Sequence, residues 1–171
     1  MASGNRIARD SYYDEIAEGY DELYAQEQKK KLALVKQHFV PHARELLLDV
    51  GCGTGIATAC WDASSVGIDP SLCLLQKAAV SDHTLYIQGV AEMLPFEDRS
   101  FDYVVSLTSL QNFSDIERGI FEIKRVGKGN FALSFLKKTA KKKEILSGLS
   151  SAFGKILLLE EEKDILAIIK I

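Results

Sequence analysis

Three glycines at alternate positions, Gly51, Gly53 and Gly55, follow directly on the apolar run Leu47-Leu48-Asp49-Val50. A strand that runs into such a loop brings bare backbone close to a ligand. The helix it opens then turns its N–H groups toward that ligand. Dehydrogenase nucleotide loops also place glycines after a strand, but with the spacing G-x-G-x-x-G. In this chain the third glycine comes one residue earlier, and Ile56 stands in the dehydrogenase position. Asp49 lies in the strand's last turn, where a carboxylate repels a pyrophosphate and attracts a cation. The chemistry these residues suit is the binding of a nucleoside that carries a positive centre.

A second acid follows at a fixed distance. Eighteen residues after Gly51, an apolar run ends in Val66-Gly67-Ile68-Asp69-Pro70. An acid at the end of the second strand of a parallel sheet is placed to accept both hydroxyls of a ribose. Asp69-Pro70-Ser71 is also a good helix start, and one carboxylate can serve both purposes. Gly89-Val90-Ala91-Glu92-Met93-Leu94-Pro95-Phe96, followed by Phe101-Asp102, reads on its own as a turn between two strands.

The elements that must position these residues alternate. Strands are expected near Leu46–Val50, Val66–Asp69, Leu85–Gln88, Tyr103–Leu107 and Phe131–Phe135, separated by amphipathic segments. That is the pattern of a parallel sheet wrapped by helices. Before them, helices are expected over Ser11–Tyr24 and Gln26–Phe39, the second stopping ahead of Pro41. Ser114-Asp115-Ile116-Glu117 reads as a capping box, with Ile116, Ile120 and Ile123 as a buried stripe and the helix ending near Gly127-Lys128-Gly129. The runs Ile156–Glu160 and Ile165–Ile171 are too close in sequence for a crossover helix and predict an antiparallel hairpin. No internal repeat or linker marks a second domain.

Leu47 to Gly55 resembles motif I of the class I S-adenosylmethionine (SAM)-dependent methyltransferases. The stretch from Gly89 to Asp102 is similar to the G-D-A-E-x-L-P-F … F-D segment of the ubiquinone-biosynthesis-type (methyltransferase type 11) group, with Val90 at the acid position. Tyr12-Tyr13-Asp14-Glu15-Ile16-Ala17-Glu18-Gly19-Tyr20-Asp21 resembles the Y-D-x-I-A-x-x-Y-D opening of the same group. The resemblance spans roughly Tyr12 to Ile171. It implies an α/β, Rossmann-like seven-stranded sheet of order 3-2-1-4-5-7-6, its last strand antiparallel, with helices on both faces. It implies one domain over residues 1–171, in which residues 1–44 cover the cofactor and 45–171 form the core. SAM is the implied cofactor, held by Asp49, Gly51, Cys52, Gly53, Gly55, Asp69, Pro70, Val90, Ala91, Leu107 and Tyr20. In that group the acid before the alanine binds the adenine amino group; with Val90 there, Glu92 is the candidate substitute.

Methyl transfer from a sulfonium is an in-line displacement, so the protein mainly has to place the nucleophile. The implied place is the end of strand four, Ser106-Leu107-Thr108-Ser109-Leu110-Gln111-Asn112-Phe113. Gln111 and Asn112 are candidates to orient a heteroatom and Phe113 to stack a ring; equally, the segment serves as a loop capping the next helix. No N-P-P-Y or D-P-P-Y motif occurs, which counts against adenine exocyclic amines and glutamine side chains as acceptors. No residue stands out as a general base. His38 and His42 suit a solvated helix face and His83 a loop, and no metal site is indicated.

Lys137-Lys138-Thr139-Ala140-Lys141-Lys142-Lys143 follows strand five, on the rim where an acceptor belongs. A solvated surface is the default for such a run. On that rim, Lys137, Lys138 and Lys141 are candidate contacts for RNA phosphates, with Lys29-Lys30-Lys31 as an extension. Alternatives are a small-molecule acceptor, or a catalytic subunit acting on RNA or a translation factor with a small zinc-binding activator. Such an activator would dock on edge strand three, Leu85-Tyr86-Ile87-Gln88.

Composition narrows the rest. The chain has 171 residues and a net charge of −3, giving no global attraction to nucleic acid. Cys52, Cys60 and Cys73 have no metal or disulfide spacing, which suggests a reducing, intracellular setting. No apolar signal region or membrane-length run is present, so a cytoplasmic location is expected.

Overall fold

The computed structural model describes residues 17–79 and 81–171, with side chains from Gln28 onward. Helix α1 (Ala17–His38) precedes β1 (Leu46–Val50), β2 (Ser64–Asp69), α2 (Leu72–Leu75), β3 (Thr84–Gln88) and β4 (Phe101–Ser106). Helix α3 (Ile116–Val126), β5 (Gly127–Leu136), α4 (Lys142–Phe153), β6 (Leu157–Glu160) and β7 (Asp164–Lys170) complete the chain. The seven strands form one sheet in the order β3-β2-β1-β4-β5-β7-β6. Neighbours from β3 to β5 are parallel, while β7 runs antiparallel to both β5 and β6.

Alternation along the strands divides the core into two faces. Leu48, Val50, Val104, Phe131 and Leu133 point to the face covered by α3 and α4, where Ile116, Ile120 and Ile123 of α3 and Ile145 and Leu149 of α4 meet them. Leu47, Val105, Ala132 and Leu166 point the other way, against Leu32 and Val35 of α1 and Phe39 just after it. Asp49, one pleat from Leu47 on the same strand, therefore faces the α1 side.

Four local expectations change. The first two helices are one: α1 runs unbroken through Tyr24-Ala25-Gln26, where Ala, Gln and Glu are strong helix formers with no Pro or cap to stop it. Residues 11–16 lie outside the described residues. The glycine loop does not open an α-helix. Turns and a 3₁₀ turn at Thr58–Cys60 fill the link, because the chain must re-enter the sheet at Ser64. The N-cap of α3 is Asp115, whose carboxylate accepts from the Arg118 N–H at 2.9 Å. Ser114, the expected cap, instead donates its hydroxyl to Glu92 Oε1 at 2.7 Å. Gly127-Lys128-Gly129 is already strand. A Cβ at Gly127 would lie 2.3 Å from the Phe131 ring, so only glycine lets α3 pass straight into β5.

Candidate functional site

The glycine loop is shaped by left-handed backbone, with φ of 75° at Gly51, 56° at Gly53 and 75° at Gly55. Gly51 also meets the segment after β4, since a Cβ there would stand 2.7 Å from Ser109 Cβ. The loop thus lies against the ends of β1 and β4 with no side chain between them. Asp69 braces it from β2: its carboxylate accepts from Gly53 N–H at 2.8 Å and from Ser71 N–H at 2.9 Å. Pro70 is exposed, and its carbonyl accepts from the Gln88 side chain at 3.0 Å.

Asp49 is buried beneath the loop and accepts a 2.7 Å hydrogen bond from the Thr58 hydroxyl. Burial pushes its pKa up to about 7, the nearby Asp69 carboxylate adds to this, and the Thr58 hydrogen bond works against it. Burial likewise pushes the Cys52 thiol well up, so it stays a neutral packing group. A cavity of about 20 Å³, room for roughly one water molecule, is lined by Gln28, Asp49, Gly51, Cys52, Thr54, Ile56, Ala57 and Leu107. Gln28 reaches it from α1, and its Oε1 is buried without a hydrogen-bond donor.

These residues fit a cationic nucleoside cofactor. A buried carboxylate and an unmatched amide oxygen face one cavity, both acceptors, beside a loop of bare backbone. Gln28 of α1 forms one wall of this cavity and the glycine loop another.

The remaining expected residues divide. Val90 is half-buried and Ala91 buried, and the Val90 carbonyl accepts from Met93 N–H at 3.2 Å. Glu92 is occupied elsewhere: its Oε1 takes the Ser114 N–H at 2.6 Å and the Asp115 N–H at 3.2 Å, fixing the start of α3. The loop after it is held by Arg125, which donates to the carbonyls of Leu94 at 3.1 Å and Phe96 at 2.7 Å. Tyr20 belongs to α1, and its side chain lies outside the described residues.

Beyond β4, Gln111 is bonded at both ends of its amide. Nε2 donates to the Thr108 carbonyl at 2.6 Å, and Oε1 accepts from the Leu136 N–H at 3.3 Å. Asn112 is half-buried in the 3₁₀ turn Leu110–Asn112. Phe113 is buried, with its ring against Gly119 of α3. Among the lysines, Lys137 pairs with Glu160 at 3.2 Å, Lys141 donates to the Phe113 carbonyl at 2.7 Å, and Lys138 is exposed. The described residues contain no His/Cys/Asp/Glu cluster able to hold a metal. No helix among them is long and apolar enough to cross a membrane.

One part of the site escaped sequence reasoning. Lys31 is not part of a basic surface patch with Lys29 and Lys30, which are exposed; its side chain is buried against Asp164. The two partners lie at opposite ends of the chain, and nothing local to either marks the other. The sole hint is an aspartate opening the apolar run Ile165–Ile169.

Comparison with known proteins agrees with this geometry. Residues 48–134 match a family model described as a methyltransferase domain. An uncharacterized protein of Methanocaldococcus jannaschii is 32% identical over 118 residues, covering 67% of this chain and 45% of that protein. The chain spans about half the length, or less, of the curated relatives it first matches. A solved SAM-dependent methyltransferase from Aquifex aeolicus superposes with a TM-score of 0.77 at 15% identity, over 91% of this chain and 97% of that one. A Haloferax volcanii putative methyltransferase, solved in complex with the Trm112 methyltransferase activator, superposes at 0.72 with 17% identity, over 92% and 96%. The chain belongs to the class I SAM-dependent methyltransferase family.

Proposed function

We propose that the chain transfers a methyl group from SAM to RNA, working as the catalytic partner of a small activator protein. The observation that carries the RNA reading is the lysine run at the rim. Lys142 and Lys143 form the first turn of α4 behind Lys141, where the helix macrodipole already places positive charge. Only Glu144 offsets them in that turn, so the arrangement is electrostatically unfavourable for folding and favourable for a polyanion.

The activator reading rests on the uneven cover of the sheet. Over β2 and β3 the chain supplies the four-residue α2 and the 3₁₀ turn, while the other side carries α3 and α4. On the open edge Leu85 is 68% exposed and Leu72 50%, a strand edge with apolar side chains that a partner strand can cover. The likeness to the Haloferax volcanii protein in its activator complex supports the same arrangement.

In the mechanism, SAM supplies an activated methyl on a sulfonium. Asp49 and Gln28 provide acceptors for cationic groups at the methionine end, and the glycine loop with Asp69 receives the nucleoside. Leu107 closes the cavity beside the end of β4, and α1 covers it, excluding water from the reacting centre. Labelled SAM, the full chain with its co-expressed partner, and a fractionated cell extract test this reading. Label that becomes soluble on ribonuclease treatment is the expected result. Label released only by protease would contradict RNA as the acceptor.

A further inference from the structure

The edge of the sheet at β6 carries an apolar strand with opposite charges at its two ends. β6 closes the order β3-β2-β1-β4-β5-β7-β6 and pairs on one side only, with β7. Edge strands are commonly blunted by an inward charge, a proline or a bulge. β6 instead keeps an unbroken register with β7 and presents three successive leucines, of which Leu157 is 48% and Leu158 46% exposed. Lys155 precedes this run, and Glu160, Glu161 and Glu162 close it. Glu160 pairs with Lys137, while Lys155 is exposed and Glu161 half-buried.

The terminal hairpin fixes which backbone groups of β6 face outward. The Glu161 N–H donates to the Asp164 carbonyl at 2.9 Å, so the Glu161 backbone turns toward the β7 side. Along an antiparallel ladder such residues alternate, which turns Leu159 and Leu157 the same way. The N–H and C=O groups of Ile156, Leu158 and Glu160 therefore point to the side where no strand among the described residues pairs with β6. Side chains alternate as well. Leu159 packs on the α1 face of the sheet, and Ile156 on the face under α3 and α4. Extended by one step each way, the α1-face row of this edge reads Lys155, Leu157, Leu159, Glu161. Reversed end for end, that row is its own complement in both charge and apolar character.

We infer that β6 is a self-pairing edge, through which two copies of this chain join as antiparallel strands with Leu158 on the two-fold axis. Only residues with outward backbone groups can exchange hydrogen bonds across the axis. Leu158 thus meets Leu158 of the second copy, and Ile156 meets its Glu160. On the α1 face Leu157 then lies against Leu159 of the second copy and Lys155 against its Glu161, and the symmetry makes each contact twice. A slip of the register by two residues one way would set Lys155 against Lys163, and the other way would leave it facing Leu159. Charge therefore selects one register among those that the backbone allows. The two sheets merge into one, and the β3 edge of each copy stays open at the far ends.

Sedimentation equilibrium of the full chain across a concentration series tests this, with Leu85→Lys alongside to separate the two edges. A monomer–dimer equilibrium is expected in the parent and in Leu85→Lys alike. Monomer throughout, or a dimer that Leu85→Lys dissolves, overturns the inference. Leu158→Lys sets two like charges on the axis and should leave a folded monomer; a retained dimer overturns the inference. Lys155→Glu and Glu161→Lys should each weaken association about tenfold, and the two combined should restore it to within about threefold of the parent. A combined variant as weak as either single one overturns the register and the inference with it. Hydrogen exchange gives an independent readout on the unmodified chain. The Leu158 and Glu160 amides should exchange more slowly as concentration rises, while those of Leu157 and Leu159, already bonded to β7, change little. Exchange at Leu158 that is slow in the dilute monomer would mean that residues 1–16 or another molecule fill this edge, and would overturn the inference.

Discussion

Asp49 holds a proton that its surroundings make costly to lose. Its pKa stands at about 7 in the fold against 3.8 for a free carboxyl, chiefly because it is buried. An acid whose pKa is raised binds its proton more tightly when folded, so the ligand-free chain loses stability as pH rises from about 4 through about 7. The slope inside that window is at most about 1.4 kcal/mol per pH unit. Asp49→Asn should flatten it, as read by urea melts at a series of pH values. Tyr86 is a separate case: its hydroxyl is buried without a partner, and a Cβ at Gly55 would lie 2.3 Å from it. Removing an unsatisfied buried hydroxyl is neutral or stabilising. Tyr86→Phe is therefore expected to leave the melting temperature unchanged or raised, whereas Gly55→Ala should cost about 1–3 kcal/mol in its left-handed conformation.

At this scale the sequence was most legible where chemistry is local. Asp49, Gly51, Gly53 and Gly55 are neighbours by spacing alone, and Asp69 joins them through the parallel pairing of β1 with β2 that the alternation implies. Glu92 misleads, since its partners Ser114 and Asp115 come from the far end of β4. Asp164 and Lys31 are invisible for the same reason: the sheet order β4-β5-β7 and the path of α1 create their contact.

Among the elements, strands were easier to read than helices. All seven strands carry continuous or alternating apolar runs, and their observed bounds differ from expectation by a few residues at most, the widest at Gly127, where glycine hid the start of β5. Helix ends depend on which polar group reaches which N–H, so Ser114 and Asp115 exchanged roles. Helix α4 offers a separable prediction because its first turn is basic. Lys142→Glu with Lys143→Glu reverses the charge at the macrodipole's positive end, worth about 0.3–1 kcal/mol of stabilisation at each position. The variant should therefore melt higher than the parent while binding RNA less tightly and with a shallower salt dependence in filter-binding assays. Unchanged RNA affinity would remove the lysine run from the interface.

The described residues form a seven-stranded sheet whose cover is unequal. One face packs α3 and α4 on the core, and the other relies on α1 for cover and for closing the cavity. The β3 edge remains open with Leu85 and Leu72 exposed. Leu85→Lys should change the stability of the isolated chain by no more than about 0.5 kcal/mol yet abolish co-purification with the activator partner. The alternation of elements and the terminal hairpin were legible in the residues, whereas the sheet order and the cover by the N-terminal segment came from the family resemblance.

In the proposed function SAM occupies the space between the glycine loop and α1, with its cationic group near Asp49. Calorimetric titration of the full chain and its partner with SAM at pH 6, in buffers of different ionisation enthalpy, measures this directly. One-to-one binding with release of up to one proton is predicted, because a cation beside Asp49 favours its charged form, and Asp49→Asn should abolish that release. No SAM binding, or binding whose proton release is the same in Asp49→Asn, would contradict it.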